Sequence, residues 1–206
     1  MTKISFESKK VIIFDLDGTI VNLTADWMSL RDVLVEKYRE IYEEQCDFER
    51  ISKCLDTIVE KKDEEILEIF FDIIRQYELE NIKDTQLIEE SIFFINNKEL
   101  FGIKNKVKFA VLSLNTRSSI IRSLELANIR NKIDLIVGRE DVRRWKPAPD
   151  GLIKIQKYYK VSKKEMIFFG DLENDLLTGK NAGIEAYLID DLIKFVNKIK
   201  NKQKNN

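Results

Sequence analysis

The sequence predicts an α/β fold, a doubly wound parallel sheet with an all-helical insert near its start. Three observations carry this: short apolar, β-branched runs recur along the chain, helical patterns lie between the later runs, and a long strandless stretch separates the first run from the second. Residues 10–15, KVIIFD, read as a buried strand that delivers Asp15 to its C-terminal end. The later strands are expected at Lys108–Ser113, Asp134–Val137, Met166–Gly170 and Ala186–Ile189. Helical stretches at Ser118–Asn128, Pro149–Tyr159 and Asp175–Ala182 lie among them. Alternation of this kind gives a sheet covered on both faces, with ligands at the C-terminal ends of the strands.

Leu23 to Lys106 breaks that rhythm. Trp27, Leu30, Leu34, Tyr38 and Ile41 recur at helical spacing, and further helical segments follow at Glu65–Tyr77 and Leu87–Ile95. Four helices in a small bundle are the simplest packing. The expected division is 1–22 and 107–200 as the sheet domain, 23–106 as the helical insert, and 201–206 as a solvated, disordered tail. Acids outnumber bases in the insert, and bases outnumber acids in the remainder.

Bulk composition narrows the chemistry. The 206 residues are 44% hydrophobic and 34% charged, a globular and soluble balance. The polar N-terminus and the shortness of every apolar run predict no signal peptide and no membrane span, hence a cytoplasmic protein. Cys46 and Cys54 lack CxxC spacing and are expected as free thiols. Histidine is absent, which excludes His-based triads, His-ligated zinc and phosphohistidine chemistry. A net charge of −1 gives no general attraction to nucleic acid.

Four motifs fall at predicted strand ends. In Asp15-Leu16-Asp17-Gly18-Thr19, two acids leave a strand at i and i+2, and the glycine permits a turn that can gather both around one phosphate. An Asx-type turn is the structural alternative. Gly170-Asp171-Leu172-Glu173-Asn174-Asp175 delivers a second acid after the run MIFF, with Asp175 one helical turn on. Hard cations such as Mg²⁺ take oxygen ligands, one or two carboxylates plus water and substrate phosphate, so Asp15 and Asp171 suffice, with Asp175 acting through water. Ser113, followed by Leu114, Asn115 and Thr116, puts a hydroxyl and backbone donors at a helix start, where phosphate is held well. Lys146, in the proline-bracketed turn RRWKPAPDG, supplies a point charge.

The set DLDGT, Ser113, KPAPDG and GDLEND resembles the four motifs of the haloacid dehalogenase superfamily. The insert resembles that family's helical cap, of the type found in phosphoglycolate phosphatases and β-phosphoglucomutases. The sequence departs from many relatives in placing Leu114 between Ser113 and Asn115. The resemblance implies a Rossmann-like core and a Mg²⁺-dependent phosphatase. In it Asp15 would be the nucleophile, Asp17 the proton carrier, and Asp15, the Asp17 carbonyl and Asp171 the metal ligands, joined by Asp175. Gly18, Thr19, Ser113, Leu114, Asn115 and Lys146 would surround the phosphate. The implied substrate is a small phosphorylated metabolite such as 2-phosphoglycolate or a sugar phosphate, with no nucleic-acid or membrane partner and a monomer or homodimer as the assembly. A phosphomutase on the same core, or a non-catalytic regulatory module, is the alternative. Arg50 and Lys53 are candidate substrate contacts from the cap. Trp27 is expected to pack within its helix, and Trp145 to line the entrance.

Overall fold

The computed structural model describes residues 4–46, 48 and 50–204. In chain order the elements are β1 (Val11–Phe14), β2 (Val21–Asn22), α1 (Trp27–Tyr42), α2 (Ile51–Glu60), α3 (Glu64–Glu80), β3 (Gln86–Leu87) and α4 (Glu89–Asn96). There follow β4 (Lys108–Leu112), α5 (Arg117–Leu126), β5 (Leu135–Val137), α6 (Asp150–Tyr159), β6 (Met166–Gly170), α7 (Glu173–Ala182), β7 (Glu185–Leu188) and α8 (Ile189–Lys204). The main sheet is parallel and ordered β5-β4-β1-β6-β7. β1 is central, with Ile12 opposite Phe109 on one side and Ile167 on the other.

Alternation along each strand sorts the core into two layers. Ile12, Phe14, Phe109, Val111, Ile167 and Phe169 face Ile120 and Leu124 of α5 and Leu192 and Val196 of α8. Val11, Ile13, Ala110, Leu112, Met166 and Phe168 face Leu152 and Ile155 of α6 and Ala182 of α7. Burial on both faces is why these strands read as unbroken apolar runs.

A third core belongs to α1–α3: Leu30, Leu34, Tyr38, Phe48, Leu55, Ile58, Leu67, Phe70, Phe71 and Ile74. Asp26 caps α1 by accepting from Met28 N and Ser29 N, and Asp63 caps α3 by accepting from Ile66 N. Phe70 is fully buried and stacks on Phe48 with centroids 5.6 Å apart. Phe70→Ala is expected to destabilise the protein by about 3–5 kcal/mol, the usual result of emptying an aromatic core site. A urea-unfolding midpoint close to that of the unmodified protein would contradict this.

Several expectations are corrected. Among the described residues the helical unit has three helices, not four, because Phe94 and Ile95 of α4 join the sheet-side core and α4 packs on α8. The run Ile92-Phe93-Phe94-Ile95 is apolar on every side of its helix, so it marks burial without saying against what. Nor is 23–106 strandless: Leu87 pairs antiparallel with Val21, where the chain leaving the helical unit meets the chain entering it. The tail expected from residue 201 instead continues α8 to Lys204, since Leu192, Val196 and Ile199 anchor the helix and each further turn adds hydrogen bonds at little cost. Asn205 and Asn206 lie outside the described residues. Finally, Cys46 and Cys54 are joined as a disulfide, their Cα atoms 6.0 Å apart, because the start of α2 folds back on the segment after α1. Among the described residues, no helix is long and apolar enough to cross a membrane.

Candidate active site

The parallel sheet ends its strands on one edge, and the four motifs meet there. Asp15 directly follows β1 and is buried. Its Oδ1 accepts from Leu16 N at 2.7 Å, and its Oδ2 lies 2.7 Å from Lys146 Nζ. Lys146 reaches in from the turn before α6 and also donates to Asp175 Oδ1 at 2.6 Å. Asp175 is 1% exposed, and its Oδ2 accepts from Leu172 N, so it ties down both Lys146 and the start of α7. Asp171, half-buried, leaves the end of β6. One carboxylate oxygen from each of Asp15, Asp171 and Asp175 falls within a common 4.8 Å.

Two glycines make this crowding possible. Gly18 has φ +71°, and a Cβ there would stand 2.3 Å from Asp171 Oδ2. A Cβ on Gly170 would stand 2.3 Å from Asp175 Cγ.

The electrostatics are those of acids short of counter-charge. Burial pushes the Asp15 carboxyl up to about 6, against the pull of Lys146, with Asp175 adding to the rise. Burial likewise raises Asp171 to about 6, helped by Asp175. Burial raises Asp17, while its hydrogen bond from Leu23 N works the other way. For Lys146, burial disfavours the ammonium, but Asp15 and Asp175 outweigh it and hold the pKa above the ordinary lysine range. Four carboxylates thus face one ammonium, and a divalent cation with a preference for oxygen fits the donor set of Asp15, Asp171 and Asp175.

Asp17 lines the same cavity, but its Oδ1 accepts from Leu23 N at 2.8 Å, at the entry to the helical unit. Ser113 Oγ donates to Asn115 Oδ1 at 2.9 Å and accepts from Asn115 N at 3.2 Å. Leu114 lines the cavity and packs against the α1–α3 core. Gly18 and Thr19 do not line it. Their amides close the turn, Gly18 N donating to Val21 O and Thr19 N to Leu16 O, so the donors expected for phosphate are occupied. The reason is local: a chain reversing within a few residues pairs its own backbone groups.

The cavity holds about 560 Å³ between the sheet edge and the helical unit. Arg50 and Lys53 line it, as their sequence positions suggested, within the segment that the disulfide encloses. Trp27 and Trp145 line it too. Trp145 does more than sit at an entrance: it is buried, donates from Nε1 to Arg139 O at 2.9 Å and meets Phe71 edge-on.

Sequence reading missed Arg31, Asp56 and Arg139 on the cavity wall, and Glu78 beside it. Glu78, on α3, is 3% exposed. Its Oε1 accepts from Asn115 Nδ2 at 2.9 Å, and its Oε2 from Thr116 N at 2.9 Å and Thr116 Oγ1 at 2.6 Å. Burial raises its pKa, opposed by the nearby charge of Arg139 and by these bonds. An acid inside an amphipathic helix has no local sign that it faces inward, whereas the Gly-Arg step directly after β5 was a usable one.

Residues 12–189 match the family model described as haloacid dehalogenase-like hydrolase. The chain belongs to that family, and it is an enzyme of the hydrolase class. It is 26% identical over 179 residues to the pyrophosphatase PpaX of Halalkalibacterium halodurans, covering 86% of this chain and 82% of that one. Among solved structures it superposes on CbbY from Rhodobacter sphaeroides with a TM-score of 0.57 at 18% identity, covering 87% and 85% of the two chains. A predicted phosphoglycolate phosphatase from Haemophilus somnus gives a TM-score of 0.58 at 17% identity, covering 90% of each.

Proposed function

We propose that this hydrolase is a Mg²⁺-dependent phosphatase acting on a small phosphorylated metabolite through a phosphorylated Asp15. The observation that carries the reading is the buried meeting of Asp15, Asp171, Asp175 and Lys146 at one sheet edge. An Asp15 oxygen attacks phosphorus as the bond to the leaving oxygen breaks, and Asp17 gives that oxygen a proton. A water then attacks the phosphorus of the acyl phosphate and passes a proton to Asp17, which restores the Asp15 carboxylate. Lys146 and Ser113 stabilise charge on the moving group. Asp15 and Asp171, joined by Asp175, would hold Mg²⁺, which would offset the repulsion between the anionic nucleophile and the anionic phosphate.

We assign the cap role to residues 23–87. They cover the cavity, and Asp17 is tied to their first backbone amide, so movement of this unit would free the proton carrier. Substrate size is limited by the cavity to compact molecules: a 2-phosphoglycolate-like ester, a sugar phosphate or, by the names of its curated relatives, pyrophosphate. Phosphate release from a panel of these with Mg²⁺ tests the reading. Activity is expected to vanish in excess EDTA and to return on adding Mg²⁺. Full turnover under chelation would rule out the metal-dependent form.

A further inference from the structure

Arg139 carries a charge that the reaction above does not use and a burial that it does not explain. It follows β5 at the ligand-facing edge of the sheet and is 5% exposed. Its Nε and Nη1 have no acceptor among the described residues. Glu78 is the opposing charge that acts on it most strongly, ahead of Glu140, but that carboxylate is already engaged by three donors from Asn115 and Thr116 and forms no ion pair with it. Hiding a guanidinium from water without acceptors is costly, so such a group is normally matched by an anion. Arg31 of α1, on the same wall, has a buried Nε that also lacks an acceptor among the described residues. Charge in the cavity is therefore segregated. Asp15, Asp17, Asp171 and Asp175 cluster with Lys146 at the motif end, while Arg31, Arg50, Lys53 and Arg139 line the remainder, with Asp56 as their only acidic companion on that wall among the described residues.

We propose that Arg139, with Arg31, forms a subsite for a second anionic group, so that the enzyme selects small phosphoesters or anhydrides that also carry a carboxylate or another phosphate. This rests on the phosphatase reading and refines it. A planar guanidinium suits either group, because both offer two oxygens in one plane to its paired N–H bonds.

The test compares kcat/KM for three probes with Mg²⁺: 2-phosphoglycolate, pyrophosphate and p-nitrophenyl phosphate, the last lacking a second anion. In the unmodified enzyme at least one two-anion probe is expected to exceed p-nitrophenyl phosphate, and which one does separates a carboxylate subsite from a phosphate subsite. In Arg139→Met, the ratio of kcat/KM for that probe to kcat/KM for p-nitrophenyl phosphate is expected to fall about 30-fold, mainly through KM, as for loss of a charge-assisted hydrogen bond. Equal losses on both substrates would mean that Arg139 only supports the fold, and would overturn the subsite. Should the Met variant not fold, Arg139→Lys carries the test: it keeps the charge but not the fork, and the ratio is expected to fall at least about threefold. An unchanged ratio there overturns the proposal equally. An unmodified enzyme that hydrolyses only p-nitrophenyl phosphate refutes the subsite and leaves the phosphatase reading standing; one that hydrolyses none of the three refutes the subsite, and turnover of a sugar phosphate then decides whether the phosphatase reading falls with it.

Discussion

Asp15→Asn is expected to reduce turnover to background and to abolish labelling of the protein by a ³²P-substrate. The replacement keeps the shape that Leu16 N and Lys146 surround but removes the anionic oxygen that would attack phosphorus. It also removes a negative charge from a cluster in which Lys146 is shared between Asp15 and Asp175, so Lys146 should remain bound to Asp175 and the fold should survive. Rapid-quench trapping and a thermal melt together check this. Near-normal turnover, or label on the variant protein, would show that another group takes the phosphate.

Asp17→Asn is expected to slow turnover by about 10² to 10⁴, the usual loss when a general acid–base is removed. The two steps should not suffer alike. p-Nitrophenolate leaves without much protonation, so phosphorylation of Asp15 would be affected less than attack by water on the phosphoenzyme, and labelled protein should accumulate. The structure adds a second consequence. The carbonyl oxygen of the introduced amide can still accept from Leu23 N, so the contact with the entry to the helical unit can persist, and a changed melting profile is not expected. Absence of trapped label in this variant, with turnover reduced, would place the loss before Asp15 is phosphorylated.

How far the sequence discloses this molecule depends on whether the information is local. Strands buried on both faces declare themselves as runs such as VIIF and MIFFG, and acids at their ends mark the ligand-bearing edge. Asp15 and Asp171 are legible in this way, Asp175 by its helical spacing from Asp171 and Lys146 by its proline-bracketed turn, and the structure brings the four together. Gly18 and Thr19 show the limit of a motif: spacing places them beside the site, but the hydrogen bonds that close the turn direct their amides elsewhere. Partners chosen across the chain are not written locally. Nothing near Glu78 says that its carboxylate will hold Asn115 and Thr116, and nothing near Phe94 says that its helix will pack on α8 instead of on α3. The cysteine pair misled for the same reason, because their short spacing fits no familiar motif and only the turn into α2 brings them together.

The ribbon formed by β2 and β3 makes the helical unit a transplantable cassette. Its two ends are held side by side, Val21 opposite Leu87 and Asn22 opposite Gln86, so the host sheet perceives the whole intervening stretch as if it were a hairpin loop. A foreign segment spliced between Asn22 and Gln86 would therefore meet ends already in register, and loop-closure entropy grows only slowly with the length of what is inserted. The wall bearing Arg31, Arg50 and Lys53 would be exchanged while Asp15, Lys146, Asp171 and Asp175 stayed with the host, and the new segment would have to replace both Glu78, which holds Asn115 and Thr116, and the Leu23 amide that holds Asp17.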